Sequence, residues 1–493
     1  MGFLSSGEWS AEAREFLDSL ERGGAFLNLS SAAVVDALRQ DVARVVRDMD
    51  DPDREPPMIW SGVPVPTQPV PRDSDWCLTL STGGTNTNFL LARLRDGEPE
   101  GIDENGNEVR GEELERARGR CAMATPTKHT AANGHEMVAQ LAEQIAGYLE
   151  KRRDLLPGVK NIVLSWCFAH RVVRTAPHVL GGVSALTTLM TKDQDLFTHD
   201  LTGIDIGELF AAAIETRLGW SRPVTASNDG VMALHYFFAQ MGGEDFAQRA
   251  VFINGTGNNF CIAEPYVVRP DGIVSRGSDY EPPLKRKSPQ APGSVEAFLV
   301  DYESGRIDVK ATATDLVATM HEDFERVALS GGFALENQFR CFVRLARDEE
   351  FLPRFIEDAE EALEGAGEGG ALVHAVASMP LEDFGGTRFS REDLEILQIA
   401  ARATIDRSAI HAAMILAAAT QRTGFGLGHG PVPDLLGMEG SVWRAFGYPE
   451  RVRHAWETLV AQPLHVEFRA EPKFAASAWG PLYFGLLHAN EEA

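Results

Sequence analysis

The stretch Val251-Phe252-Ile253-Asn254-Gly255-Thr256-Gly257-Asn258-Asn259-Phe260 does most to limit what this chain can fold into. An apolar strand runs into Gly-Thr-Gly, and a second strand, Cys261-Ile262-Ala263, follows the polar residues. Glycines take positive φ and let the backbone pass close to a ligand. Successive N–H groups in such a turn can hold anionic oxygens, and the Thr256 hydroxyl adds a donor. Two more elements share this form. Asn228-Asp229-Gly230 follows the strand Val224-Thr225-Ala226, and Gly83-Gly84-Thr85-Asn86 follows Trp76–Leu80.

Helical patterns separate these strands. Residues 8–48 read as two amphipathic helices, the second carrying Val34, Val35, Leu38, Val42 and Val46 on one face after Ser30-Ser31. Pro56 to Pro71 reads as a Pro-rich loop, and Phe89–Leu94 as the return strand of a hairpin. Helices are predicted over 134–152, 204–217 and 231–240 and a strand over 162–164; residues 267–293 read as a Pro-, Gly- and Ser-rich loop. Helices dominate from 312 to 422, and 399–420 is so apolar that it must be buried on most sides. A last strand, Leu464–Phe468, precedes a helix near 476–490. Strands alternating with helices predict an α/β class with mixed sheets. At 493 residues the chain is too long for one core, so two domains are expected.

A formal net charge of −26 argues against a nucleic-acid footprint and against an anionic membrane surface. It leaves a phosphate ligand open, because a local nest of amides acts at close range. Cys77, Cys121, Cys167, Cys261 and Cys341 form no CxxC pair, which fits buried thiols in a reducing cytoplasm. No apolar run reaches the ~18 residues of a membrane span. Glu8, Glu12 and Glu15 near the N-terminus do not read as a signal peptide. Met1–Ser6 matches the loose myristoylation pattern, but no basic patch follows, so an ordinary start is expected.

In this order the motifs resemble those of eukaryotic-type hexokinases and glucokinases, members of the actin-like ATPase superfamily. Leu80–Asn86 resembles their first phosphate motif, and Gly255-Thr256-Gly257-Asn258-Asn259 the second. Ser165–Ala169 resembles the sugar-binding segment, Thr191-Lys192 the threonine–lysine pair, and Asn228-Asp229-Gly230 the asparagine–aspartate–threonine that holds the catalytic base. Phe324 to Glu336 resembles a segment ending in a sugar-binding glutamate. Arg407-Ser408-Ala409 matches a late helix, and Gly437–Trp443 a glycine turn near the nucleotide.

The resemblance implies a two-lobed, ribonuclease H-like α/β fold of the hexokinase type closing on an ATP-and-sugar cleft. It implies transfer of the ATP γ-phosphoryl group, with Mg²⁺, to the 6-hydroxyl of a hexose, glucose foremost. Asp229 is then the general base and Lys192 stabilises developing charge; Cys167, Thr191, Lys192, Asn228, Asp229, Asn259, Glu296 and Glu336 line the sugar. Gly83, Gly84, Thr85, Asn86, Gly255, Thr256, Gly257, Gly440, Ser441 and Ser477 surround the nucleotide. Residues 1–60 are expected to pack as a helical segment on a large lobe of 222–480, with 61–221 as the small lobe and 481–493 returning to it. A cytoplasmic monomer or homodimer is expected. Standing alone, Asp229 could be a helix N-cap, Thr191-Lys192 an exposed turn, Glu336 a surface residue and the glycines simple turns.

The chain departs from the family pattern where metal and nucleotide are handled. Ser81 stands where the first phosphate motif has its aspartate, and Asn88 where an arginine follows. Asp75, six residues earlier on a strand, lies roughly 20 Å away and cannot substitute. Cys167 replaces the sugar-binding serine, Glu296 only approximates a second glutamate, and Ala475–Gly480 replaces a glycine-rich nucleotide segment. A second reading therefore stands beside the kinase: a sugar-binding sensor or regulator with weakened transfer activity.

Overall fold

The computed structural model describes residues 9–22, 26–49, 58–66, 70–82, 87–103, 106–111, 113–114, 119–121, 133–152, 162–168, 172–174, 180–183, 201, 204–219, 224–240, 247–255, 258–268, 274–275, 294–302, 335, 338–339, 342–343, 370–378, 390–428, 430–470 and 476–488. Helices α1 (Ala11–Arg22) and α2 (Ala32–Met49) come first. Six strands follow: β1 (Met58–Pro64), β2 (Cys77–Thr82), β3 (Thr87–Arg95), β4 (Glu98–Ile102), β5 (Glu108–Arg110) and β6 (Gly119–Cys121). Next are α3 (Gly134–Glu150), β7 (Val163–Phe168), β8 (Val172–Arg174), β9 (Leu180–Val183) and α4 (Ile206–Leu218). The middle of the chain holds β10 (Val224–Ser227), α5 (Asp229–Gln240), β11 (Arg249–Asn254), β12 (Asn258–Val268), β13 (Val274–Ser275) and β14 (Val295–Tyr302). The last part holds α6 (Gly370–Ser378), α7 (Arg391–Thr423), β15 (Asp434–Glu439), α8 (Tyr448–Val460), β16 (Val466–Ala470) and α9 (Ala476–His488).

The strands build two mixed sheets and a small β8–β9 pair. The first sheet runs β1-β14-β12-β11-β15-β16 and the second β10-β7-β2-β3-β4-β5, with β13 beside β12 and β6 beside β3. In the first, β11 pairs antiparallel with β12 but parallel with β15, almost 200 residues on. In the second, β7 lies parallel between β2 and β10. Strand β10, which leads into Asn228-Asp229, thus belongs to the sheet of β2 and β7, whereas β1 belongs to the other.

Apolar spacing explains three core layers. One face of the first sheet, with Phe252, Phe260, Ile262 and Val300, packs under α1, α2, α6, α7 and α8. One face of the second, with Leu78, Leu80, Leu164 and Trp166, packs under α3 and α4. The other faces of both sheets share a third core with α5 and α9, made from Cys77, Cys167, Val251, Cys261 and Leu299 and from Val231–Leu234, Phe237 and Trp479. Helix α7 is buried along nearly all of its 33 residues, and starts at a capping box of Ser390 and Asp393. Asn133 and Asp205 cap α3 and α4 through their side-chain oxygens.

Sequence expectations are corrected in places: residues 267–293, read as a loop, include the end of β12 and strand β13. Residues 58–64 fall in the supposed Pro-rich loop but form strand β1, paired with β14 through a register shift between Trp60 and Pro64. An edge strand tolerates proline at its end because no neighbour needs that N–H. Helix α5 also starts at Asp229, two residues earlier than its periodicity suggested. Among the described residues no helix is long and apolar enough to cross a membrane.

Candidate active site

Helix α5 lies between the two sheets, and its N-terminus faces the ends of strands from both. Side chains directly opposite one another on paired strands share a face of the sheet. In the second sheet Ser227, Cys167, Ser81 and Asn88 are such successive partners, on β10, β7, β2 and β3. In the first sheet Asn259 and Glu439 flank Ile253 in the same way, on β12 and β15. Strand spacing of about 4.8 Å sets Asn259 and Glu439 roughly 10 Å apart. Two polar rows thus meet at the start of α5.

The junction itself is closely tied. Asn228 is 2% exposed; its Oδ1 accepts the Gly230 N–H at 2.8 Å and its carbonyl accepts the Met232 N–H at 3.0 Å. Those contacts begin the helix, so Asn228 carries much of the capping that Asp229 could have been kept for. Asp229 Oδ1 also accepts the Gly230 N–H, at 2.8 Å. The Asn259 amide crosses from the other sheet, its Nδ2 donating to Asp229 Oδ1 at 3.2 Å and to Asn228 Oδ1 at 3.3 Å. Asn259 Oδ1 is buried and has no partner among the described residues, an acceptor left for an incoming donor. The space is tight, since a Cβ on Gly230 would sit 2.9 Å from Cys261 Sγ and 3.1 Å from Asn259 Nδ2.

Burial pushes the Cys167 thiol well above its usual range, and the negative charges of Asp229 and Glu439 push it the same way. A hydrogen bond from the Ser81 side chain offsets only part of this. Ser81, Cys167, Asp229 and Glu439 therefore belong to one electrostatic neighbourhood, with a neutral thiol among carboxylates. Glu439, 7% exposed, was read from the sequence only as part of a glycine turn. The one cue to it, a carboxylate just before Gly440, gave no hint that parallel pairing aims it at Asp229's neighbourhood.

Gly440 has φ +100° and lies against Asn254: a Cβ there would collide with the Asn254 carbonyl and come within 2.7 Å of the Gly255 nitrogen. Only glycine fits, so the ends of β11 and β15 approach each other through their backbones. Ser441 opens the short 3₁₀ turn that follows. Carboxylates and hydroxyls are hard oxygen donors, and Mg²⁺ is commonly held by one or two carboxylates plus substrate phosphates. The oxygens of Asp229, Glu439 and Ser81, with the close glycine backbones, suit a magnesium–polyphosphate group.

The structure thus brings together Cys167, Asn228, Asp229, Asn259, Gly255, Gly440 and Ser441 around the α5 N-terminus and the β11–β15 ends. Gly83, Gly84, Thr85, Asn86, Thr191, Lys192, Thr256, Gly257 and Glu336 lie outside the described residues. Glu296 lies on β14 opposite Tyr266 and Ser477 in the first turn of α9, their backbones alone being described. Cys77, Cys167 and Cys261 are buried thiols. A separate cavity of about 450 Å³ opens between α2, α7 and α8, lined by Arg39, Val42, Thr420 and Leu459 among others, and holds none of the residues above.

No protein-family model matches the sequence, and no curated protein matches it either. Solved structures do match in fold. A hexokinase from Schistosoma mansoni, solved with glucose, aligns over 97% of this chain and 99% of its own at 15% identity, with a TM-score of 0.62. A second hexokinase aligns over 97% of this chain and 100% of its own at 18% identity, with a TM-score of 0.63. The chain has the two-lobed, actin-like ATPase fold of the hexokinase type.

Proposed function

We propose that this protein is a sugar kinase that transfers the γ-phosphoryl group of ATP to the 6-hydroxyl of a hexose, glucose foremost. The observation that carries the reading is the convergence of Asp229, Asn228 and Asn259 at the start of α5, beside Cys167 and Glu439. The fold shared with the two hexokinases supports it. Asp229 is the base that takes the proton of the attacking hydroxyl, and the Asn259 amide holds its Oδ1 in place. Asn228 and Asn259 orient sugar hydroxyls, Asn259 through its unused Oδ1. Cys167 faces the same hydroxyls as a neutral thiol, a weaker donor than serine.

The backbones at Gly255 and Gly440 approach the phosphates, with Ser441 beside them. Asp229, Glu439 and Ser81 would face Mg²⁺, which when bound neutralises charge developing on the phosphates. Glu439 adds, from the other sheet, a carboxylate to the electrostatic neighbourhood of Cys167. Lys192, Thr191, Glu296 and Glu336 complete the sugar site, and Gly83, Gly84, Thr85, Asn86, Thr256, Gly257 and Ser477 the nucleotide site. In this reading β2 to β7 with α3 and α4 form the small lobe, and the first sheet with α1, α2, α7 and α8 the large one. Closure about α5 and α9 excludes water from the transfer.

A second reading keeps the sugar site without transfer, and the Ser81–Asn88 pair favours it by leaving neither a carboxylate nor a cation at the phosphate end of β2. The deciding test is phosphorylation of a hexose panel by purified protein with Mg²⁺-ATP, run beside Asp229→Asn. Turnover in wild type and loss by at least a thousandfold in Asp229→Asn is the expected result. Silence in both, with glucose still raising the Tm, would establish the sensor instead.

A further inference from the structure

A second polar network lies behind the cleft, on the face of β11 opposite Ile253. Asn254, the last residue of β11, is fully buried. Its Nδ2 donates to the Tyr448 hydroxyl at 2.8 Å, and that hydroxyl lies 3.0 Å from Ser408 Oγ on α7. Tyr448 and Ser408 are themselves buried. Having accepted the amide N–H, Tyr448 can give its own proton to Ser408, so the three groups form one directed chain from α7 to the end of β11. Asn254 Oδ1 is buried without a partner among the described residues. Only one of its two amide ends is spoken for, and it is Tyr448 that holds it.

The same tyrosine governs the neighbouring turn. Its ring meets Trp443 edge-on at 5.3 Å, and the Trp443 indole donates to the Phe252 carbonyl at 2.8 Å. Gly440, three residues before Trp443, presses on the Asn254 carbonyl. The end of β11 is thus held through the Asn254 side chain and the Phe252 carbonyl, and its backbone runs close to Gly440. Both bonds lead to the segment Gly440–Tyr448. Packing alone would be served by phenylalanine at 448; the hydroxyl is required because the Asn254 amide ends on it and Ser408 pairs with it.

We propose that Tyr448 is a positioning residue for the nucleotide. Through Asn254 it sets the end of β11, up to Gly255, in register with Gly440-Ser441, so that both strand ends address one polyphosphate. It touches no substrate, and the inference rests on the kinase reading above. Without the hydroxyl the Asn254 amide loses its partner in a dry core, turns elsewhere, and carries the end of β11 with it.

The test measures binding of magnesium AMP-PNP and of glucose separately by calorimetry, in wild type, Tyr448→Phe and the double variant Tyr448→Phe/Asn254→Leu. Tyr448→Phe should weaken the nucleotide analogue on the order of tenfold and leave glucose affinity within about twofold. The double variant replaces both partners by apolar groups and should recover thermal stability. It should not recover nucleotide affinity, because an apolar contact sets no direction. Unchanged nucleotide binding in Tyr448→Phe would overturn the inference and leave the kinase reading standing. A joint fall in glucose and nucleotide affinity, or full recovery of nucleotide binding in the double variant, would reduce Tyr448 to a packing residue. Wild type that binds glucose but no nucleotide would sink both this inference and the kinase reading.

Discussion

Replacing Gly230 by alanine tests how the two sheets meet. The new Cβ would lie 2.9 Å from Cys261 Sγ, 3.1 Å from Asn259 Nδ2 and 3.3 Å from Asn228 Oδ1. Comfortable separations are about 3.5–4.0 Å, so the three neighbours must withdraw, Cys261 Sγ the most and Asn228 Oδ1 the least. Overpacking of this kind costs about 1–3 kcal/mol. Alanine returns at most about 1 kcal/mol as the better helix former near the start of α5. A net loss of roughly 1–2 kcal/mol is expected, read as a lower guanidinium midpoint. The effect on the site should be larger than the effect on stability. The Asn259 bonds, at 3.2 and 3.3 Å, are already long, and a slight shift takes them past hydrogen-bonding range. Glucose affinity by calorimetry should therefore fall about tenfold, equivalent to roughly 1.4 kcal/mol. Adding Cys261→Ala removes the closest obstacle and should restore part of both losses. A Gly230→Ala protein that binds glucose like wild type, at equal or greater stability, would refute the argument that this glycine sets the fit of Asn259 against Asp229.

The buried cluster of Glu264, Tyr302 and Arg422 joins β12 and β14 to the end of α7, with Arg422 Nε 3.3 Å from Glu264 Oε1 and 3.1 Å from the Tyr302 hydroxyl. Glu264→Gln removes the carboxylate opposite a cation that is wholly buried, and should cost about 3 kcal/mol in chemical denaturation. On the second sheet, burial works against ionised Glu100, but hydrogen bonds and charges from Arg93 and Arg110 outweigh it and hold its carboxyl below the ordinary 4.5. A depressed folded-state value means this stabilisation is complete above about pH 4.5 and lost as pH falls through the folded value. Denaturation midpoints measured from pH 6 to pH 3 should fall steeply in wild type, and less steeply in Glu100→Gln; equal slopes would show that Glu100 contributes nothing to acid lability.

Much of the α/β fold was legible because its signals are local. The turn residues after β10 and β11, the 3.6-residue spacing in α2 and α3, and the apolar run within α7 each record a preference of a few neighbouring residues. Local signals also misled: the prolines around β1 masked a strand whose partner, β14, lies more than 200 residues away. Asn228, Asp229, Asn259 and Cys167 could be singled out as candidates because each stands in a short motif. Glu439 could not be given a place, nor could Asn254, Tyr448 and Ser408 be joined, because no local pattern links them.

Residue order alone was enough for the alternation of strand and helix, for the glycines where backbones come close, and for the absence of an aspartate at Ser81. It could say nothing of register. That Asn259 and Glu439 flank Ile253 on one face, while Asn254 looks the other way to Tyr448, depends on β15 pairing parallel with β11 and β12 antiparallel. Parallel pairing joins segments with no turn between them to mark it, and a slip of one residue would reverse every side chain. Burial of both sheet faces excludes such a slip, and only the assembled core, with α5 and α9 between the sheets, supplies that constraint.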